Sequence, residues 1–464
     1  MKKVVSMMLA GAMLGSCVAM AAEEEKAVTV KVDGVALAIE DQQPIIEENR
    51  TLVPLRAIFE ALEAEVAWDD ATRTVTAKKG EIEMELKIGA EKYTVNGEEK
   101  ELDVPAKIMN NRTLVPLNVV AESLGCAANW DGEKYIVDVA TPAHQAVVAE
   151  ADRIRAIEPT IDGSYKTVEG IRLPVKMYIP EEKTENSKIA VLAIHGGGWY
   201  AVSKDSDTWN GSWMNYQAQY YYDKYGYTTA AVSYRNIKLT ETTNVMEQVE
   251  DCKDAVKYMR ENAEFDKLII MGDSSGGHLA TMLGLDDEVN ADIVVAANPV
   301  LDLNTEKWAY TAAEEEIRIQ ASPLYNPKKT DTKFLVMHGN SDTTVDYSTS
   351  KKFCEDMQAL GTQCDYMELD GVKHAFILSR YQSTDEMVNE FMDMIDKYLA
   401  ENLFETEEAT EEEVVTEEAT EAEEAVSDET TTDETTEEEA VTEEETATEE
   451  ETTEAETETA EDEK

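Results

Sequence analysis

Residues 269–280 read IIMGDSSGGHLA. An apolar run stops at Gly272-Asp273-Ser274-Ser275-Gly276, and a helix-compatible stretch begins at once. The pattern G-x-S-x-G alone arises by chance in glycine-rich loops. Between a strand and a helix it has a physical logic. The sharp turn forces the central serine into a strained backbone conformation that presents its hydroxyl, and the two glycines keep neighbouring side chains away. A helix that starts there also aims partial positive charge at an anion forming beside the hydroxyl. Ser274 is therefore the candidate nucleophile, with Gly272 and Gly276 supporting the elbow.

A serine hydroxyl needs a base to take its proton. In this type of turn the partners follow in the order Ser, Asp, His. FLVMHGNSDTTV (334–345) places Asp342 just beyond an apolar strand, and YMELDGVKHAF (366–376) places His374 in the loop after the last strand. Asp302, Asp346 and Asp370 compete for the acid, and His195, His278 and His338 for the base. His278 lies one turn beyond Ser274 on the same helix and reads as a packing residue. His338 follows a strand directly and reads as a structural hydrogen-bonding group.

VLAIHGGGWYAV (191–202) puts three glycines after another apolar run, where an ordinary core strand would not end so. An oxyanion needs preorganised donors, and backbone N–H groups supply them where side chains are absent. Gly197 and Gly198 are the expected donors, with the N–H of Ser275 as the third, while His195 and Gly196 shape the loop. A phosphate-binding loop is the rival explanation, but the lysine and spacing of a P-loop and the dinucleotide fingerprint are both missing.

Around these motifs, strand and helix signals alternate as in a parallel sheet with crossover helices. YKTV and LPVKMYIP read as an antiparallel opening pair. IAVLAIH, YTTAAVSY, KLIIMGD, DIVVAAN, KFLVMHG and CDYMELD follow as six strands, with helices over 244–262, 276–285, 348–360 and 385–401. The expected fold class is α/β, an open and mostly parallel sheet with helices on both faces and its site at the C-terminal strand ends.

Together HGGGW, GDSSGG, HGNSDTTV and GVKHAF resemble the α/β-hydrolase superfamily, nearest its HGGG-type acetyl-esterase, acetylxylan-esterase and feruloyl-esterase-like members. VSYR (232–235) and SPLYN (322–326) extend the likeness, which covers 150–403. It implies Ser274 as nucleophile, His374 as general base and acid, and Asp342 orienting the imidazole. HGNSDTTV departs from the lipase-like members toward feruloyl-esterase-like and prolyl-oligopeptidase-like enzymes, leaving acyl and leaving-group preference open. The aromatic stretch 206–227, with Trp209, Trp213 and Tyr216, either lines a pocket or packs a helix onto the sheet. Residues 303–321 read as a short acidic lid.

Upstream, NRTLVPLRAIFEALEAEVAWD (49–69) recurs as NRTLVPLNVVAESLGCAANWD (111–131), 62 residues on. Each copy reads as an extended piece, a proline in the first helical turn (Pro54, Pro116), an amphipathic helix and a strand carrying Trp68 or Trp130. Asp33-Gly34 and Asn96-Gly97 mark hairpins before them. RTLVPL and the paired WD dipeptides resemble the copper amine oxidase N-terminal-like, or stalk, domain over 27–142, a small α+β unit of two repeats. Copper does not follow from the name, because residues 22–142 hold no histidine. A spacer or adhesion role is expected, with both tryptophans read as core anchors in preference to sugar-stacking platforms.

The ends differ from the middle. Residues 1–21 read as a signal peptide, with Lys2, Lys3, an apolar stretch and Ala19-Met20-Ala21 as the cleavage site. LGSC equally resembles a lipobox, ending the signal at 16 and leaving Cys17 to carry a lipid. Residues 404–464 form a Glu/Thr-rich tail expected to be disordered. The net charge is −57, and with 405–464 set aside −28 remains, which excludes nucleic acid as a charge-driven partner. Cys354 and Cys364 could pair in an oxidising compartment, but buried free thiols are the preferred reading.

These observations lead to an exported serine carboxylesterase, secreted or held at the cell envelope, acting on small esters or acylated polysaccharides through an acyl-enzyme. No metal or organic cofactor is expected, and membrane contact only through a lipid at Cys17. The stalk is the expected point of contact with the wall. The alternatives are a prolyl-oligopeptidase-like peptidase or amidase and a non-catalytic envelope-binding protein.

Overall fold

A computed structural model describes residues 27–200, 212–236, 244–305, 315–378, 381 and 383–404. The expected signal segment with Cys17, the tail beyond Phe404, Trp209 and residues 306–314 of the expected lid lie outside the described residues.

The C-terminal half is built on one eight-stranded sheet. Its strands are β1 (Ile161–Val168), β2 (Ile171–Tyr178), β3 (Ile189–Ile194), β4 (Thr228–Val232), β5 (Lys267–Asp273), β6 (Ile293–Ala297), β7 (Lys333–Gly339) and β8 (Cys364–Leu369). They lie in the order β1-β2-β4-β3-β5-β6-β7-β8. β1 and β2 are the antiparallel opening pair, and β3 through β8 run parallel, as expected. β3, β4 and β6 are buried along their whole length, because helices cover both faces. Alternate residues therefore feed two cores. Ala190, Leu192 and Ile194 of β3 join one, and Ile189, Val191 and Ala193 join the other.

Seven helices matter here: α1 (Pro142–Arg155), α2 (Ser212–Tyr225), α3 (Val245–Asn262), α4 (Ser275–Gly284), α5 (Glu315–Gln320), α6 (Ser348–Ala359) and α7 (Asp385–Asn402). α3 starts at a capping box, Asn244 with Glu247, which closes its first-turn N–H groups. α2 answers part of the question left open by its aromatic sequence, the side chain of Trp213 lying outside the described residues. Tyr216, Tyr220 and Tyr221 are buried against the sheet, so they pack the helix and line no pocket. Cys354 of α6 and Cys364 at the start of β8 form a disulfide, with Cα atoms 5.0 Å apart. The expectation of two free thiols is thereby corrected, since the helix that follows β7 lies back over β8 and brings them together.

The N-terminal half contains three sheets and two short helices. Arg50–Pro54 pairs antiparallel with Arg112–Pro116, so the two repeats meet strand to strand. Val53 faces Val115, its own counterpart 62 residues on, and the flanking pairs are symmetric about it. The repeats are thus related by an approximate two-fold axis. Pro54 and Pro116 end these strands and cap the helices Leu55–Ala61 and Leu117–Leu124, one position earlier than a first-turn proline. Asp33-Gly34 and Asn96-Gly97 all have positive φ, as the hairpin signals require. Thr29–Val32 pairs in parallel with 136–139, joining the start of the domain to its end.

The tryptophans correct a second expectation. Trp68 is 37% exposed and Trp130 42% exposed, so neither anchors a core. Both lie on edge strands, Glu65–Asp69 and Ala127–Asp131, in which no residue is fully buried. The core is filled instead by Ile58, Phe59, Val119, Val120, Val137 and Val139.

Candidate active site

The elbow forms where β5 runs into α4. Ser274 has φ 56° and ψ −118°, a conformation that a non-glycine residue holds only when its surroundings dictate it. The surroundings here are backbone. A Cβ on Gly272 would lie 2.2 Å from Gly276 O, and one on Gly276 would lie 2.2 Å from Ile194 O and 2.6 Å from His195 O. The first turn of α4 therefore presses against both β5 and the end of β3, and only glycine fits at either crossing. Ser274 N–H donates to Ala297 O (2.9 Å) and Ser274 O accepts from His278 N–H (3.0 Å), which fixes the turn from both sides.

Three of the expected residues, separated by up to 100 positions, come together at the strand ends. Ser274 Oγ lies 2.9 Å from His374 Nε2, and His374 Nδ1 lies 2.7 Å from Asp342 Oδ2. Asp342 Oδ1 accepts from the N–H groups of Thr344 (2.7 Å) and Val345 (3.0 Å). With Nδ1–H donating to the carboxylate, Nε2 carries a lone pair toward the serine hydroxyl. Burial works to raise the pKa of Asp342. Hydrogen bonds from His338 and His374 and the charge of His374 outweigh it, so the carboxyl sits well below the usual range. It stays ionised wherever the imidazole needs it.

The competitors have other duties. His338 is fully buried. Its Nε2 donates to Asp342 Oδ2 (3.1 Å), while its Nδ1 faces Ser350 Oγ (2.7 Å), so it holds the acid from behind. His278 donates from Nε2 to Ala321 O (2.7 Å) and accepts from Trp199 Nε1–H at Nδ1 (3.3 Å). His195 donates from Nδ1 to Gly196 O (2.6 Å) and stacks on Tyr234. Burial pushes both of these imidazoles down to about 4, so they are neutral struts. Asp302 binds the N–H groups of Asn304 and Thr305, Asp346 that of Ser348, and Asp370 the amide of Asn340.

The glycine loop after β3 lies over the elbow. Gly197 (φ 104°) and Gly198 (φ 62°) occupy backbone that disfavours any side chain. A Cβ on Gly196 would lie 2.7 Å from Asp273 O and 3.1 Å from Ser274 Cβ, which measures how close the loop comes. Buried Trp199 anchors its far end. Its N–H donates to Ser275 Oγ (3.2 Å), and its carbonyl accepts from Gln248 of α3 (3.1 Å). Tyr234, from VSYR, donates to His195 O (2.9 Å), and Arg235 holds Asp251 with two bonds of 2.8 Å.

One pair escaped sequence reasoning. Asn298, just past β6, donates to Asp273 Oδ1 (3.0 Å) and accepts from Ala375 N–H (2.9 Å). It thus ties the residue before Ser274 to the residue after His374. The signal was an asparagine at the C-terminal end of a parallel strand, the level at which Ser274 and Asp342 also stand. Burial pushes the Asp273 carboxyl up to about 6, against the lowering charge of His374.

Comparisons with known proteins divide at the same place as the fold. Residues 31–139 match the copper amine oxidase N-terminal domain, and residues 175–321 match the BD-FAE family. Ser274 and the glycine loop fall inside the second match, and Asp342 and His374 lie beyond its end. The chain is 31% identical over 121 residues to a protease inhibitor of Brevibacillus choshinensis, covering 25% of this chain and 36% of that protein. It is 29% identical over 142 residues to an arylacetamide deacetylase of Bos taurus, covering 28% and 32%. The chain thus spans about a third of the length of these curated relatives. Among solved structures, the apo form of Thermogutta terrifontis esterase 2 matches with a TM-score of 0.43 and 22% identity, over 52% of this chain and 94% of that one.

Residues 31–139 thus form a domain of the copper amine oxidase N-terminal type, and the BD-FAE match lies within a sheet of α/β-hydrolase type. The donor set of the first does not fit copper. Residues 27–142 hold no histidine, and their single cysteine, Cys126, is half-buried with its thiol directed at Leu124 O.

Proposed function

We propose that the chain is a serine carboxylesterase. The observation that carries this reading is the hydrogen-bonded series Ser274–His374–Asp342, with distances of 2.9 and 2.7 Å, ending on a serine in a strained elbow. His374 Nε2 takes the Oγ proton as Ser274 attacks the ester carbonyl. The carbonyl oxygen gains the negative charge, and the N–H groups of Gly197, Gly198 and Ser275 receive it. None of the hydrogen bonds between described loops and caps uses the N–H of Gly197 or Gly198, which leaves both available. Collapse of the intermediate sends the His374 proton to the leaving alkoxide, forming the alcohol and an acyl-Ser274 ester. Water then attacks that ester by the same route in reverse, with His374 as base, and releases the acid.

The substrate class we favour is short acyl esters, acetyl or feruloyl groups on polysaccharides, acted on outside the cell. The resemblance of the motifs supports the acyl class. The signal-like N-terminus and the Cys354–Cys364 disulfide support an oxidising, extracytoplasmic address. In this reading the N-terminal domain is a spacer or adhesion element at the wall, and Cys17 is the point at which a lipid would attach.

The test compares wild type with Ser274→Ala on p-nitrophenyl acetate, butyrate and octanoate, and on a proline p-nitroanilide. Short-chain ester turnover that vanishes in the variant is the expected result. Turnover of the anilide alone would replace the esterase with a peptidase. Absence of turnover together with no fluorophosphonate labelling of folded protein would leave a binding protein.

A further inference from the structure

Among the described residues of the N-terminal domain, five large hydrophobic side chains are exposed: Val35, Ile46, Trp68, Ile108 and Trp130. Four of them are two symmetric pairs. Ile108 is the 62-residue counterpart of Ile46, and Trp130 of Trp68. Chance exposure would not respect the two-fold axis.

The polar groups around them respect it too. Arg50 of the first repeat pairs with Asp103 of the second at 2.9 Å. Arg112 of the second pairs with Asp41 of the first, the same exchange in reverse. Around the first pair the chain forms an open cleft of about 540 Å³. Ile46, Asn49 and Arg50 come from one repeat and Asp103, Asn118 and Trp130 from the other. The two-fold relation puts Ile108, Asn111, Arg112, Asp41 and Trp68 in the matching positions, with Arg56 as the counterpart of Asn118.

We propose that this cleft and its symmetry-related counterpart at Trp68 bind a neutral polysaccharide, one stretch of glycan at each tryptophan. The chemistry is specific to that class. A pyranose ring has a flat C–H face, which an exposed indole covers, and a rim of hydroxyls, which needs donors and acceptors together. The Arg–Asp pair supplies both while cancelling its own charge, and the amides of Asn49 and Asn118 add more of each. A polyanion is a poor match, because residues 27–142 carry 22 acidic against 12 basic side chains. Two symmetry-related tryptophan sites on one domain suit a repeating polymer, since the second contact forms at high effective concentration. The inference narrows the adhesion role proposed above to a ligand and a set of residues, and it needs no ester hydrolysis.

The experiment uses the full chain carrying Ser274→Ala, so that glycan esters stay intact. It is incubated with insoluble xylan, microcrystalline cellulose and, separately, peptidoglycan sacculi. Retention on at least one neutral polysaccharide, unchanged at about 0.5 M salt, is expected. Trp130→Ala and Trp68→Ala should each weaken it by roughly tenfold, and the double variant by more than either. Trp130→Phe should keep most of the binding. In the otherwise wild-type chain the double variant should hydrolyse p-nitrophenyl acetate at the unaltered rate, which reports that it is folded. Absence of retention on both neutral polysaccharides overturns the proposal. So does retention untouched by the double variant, or salt-sensitive retention on sacculi alone. Retention without any p-nitrophenyl acetate turnover by the wild-type chain would remove the esterase reading and leave this one standing.

Discussion

Trp199 and Trp130 both close a sequence motif, HGGGW in one half of the chain and the second WD dipeptide in the other. Trp199 is 1% exposed, and its backbone and indole hydrogen-bond to Ser275, Gln248 and His278. Trp130 stands on an edge strand, 42% exposed. HGGGW buries its tryptophan and ties it by hydrogen bonds, whereas the second WD dipeptide turns its tryptophan outward. Motif and burial are therefore separate pieces of information. A motif that shapes a turn is locked by the backbone crowding around it, and a motif on an edge strand is free to face whatever the domain meets.

The sharpest break between the halves is kinetic. Ser274→Ala should lower ester turnover by at least about a thousandfold, measured as kcat/KM on p-nitrophenyl acetate. Loss of both stalk tryptophans should leave it unaltered. An equal loss in the two variants would mean that the N-terminal domain contributes to the reacting site.

Next in size is the backbone crossing. Gly276→Ala should reduce unfolding stability by about 3 kcal/mol or more in urea titration, because the added carbon meets a β3 carbonyl at 2.2 Å. Tolerance of that alanine would show that the elbow is looser than its geometry.

Asp273 gives a smaller effect with a defined pH window. Its pKa is raised from the ordinary 3.8 to about 6 by burial, so the folded state prefers the protonated form. The corresponding stability is fully present below pH 3.8 and is lost as pH rises toward 6. Asp273→Asn, which still accepts from Asn298, should therefore gain about 1–3 kcal/mol over wild type at pH 7 and little at pH 4. Urea unfolding at the two pH values checks this. A variant that gains equally at both would assign the effect to packing.

The smallest effect is the most telling for the comparison. Trp68→Ala and Trp130→Ala should each change unfolding stability by less than about 1 kcal/mol, where a core tryptophan would cost about 3–5. A larger loss would restore both residues to the core.

Most of the site could be read from the chain because its constraints are local. The glycines at 272 and 276, the glycine loop at 195–198 and the polar loops after β7 and β8 each announce a strand end. All eight strands of the large sheet were anticipated for the same reason. What was missed depends on where chain segments meet. Cys354 and Cys364 pair because α6 folds back over β8, and Asn298 matters because β6 ends between the elbow and the His374 loop. The tryptophans were misplaced because alternation along a strand tells its faces apart without saying which face a neighbour covers. Repetition drew attention to Trp68 and Trp130 correctly, but toward packing and away from the surface.

The parallel pairing of Thr29–Val32 with 136–139 also sets an order of events. The first strand of the N-terminal domain has no partner for its parallel edge until roughly a hundred further residues have been made, so the domain cannot latch from the front as it emerges. Until then its start is joined only to the two-residue strand Val35–Ala36, a hairpin too short to persist alone. When Ile136–Ala140 arrives, a single pairing event closes the unit, and helix α1 begins two residues later from Thr141, whose N–H and hydroxyl both bind Asp33 of the first hairpin. The domain is a clasp whose two ends must meet before the catalytic half begins, and a nick or insertion near either end would unfasten a sheet whose sequence had not been touched.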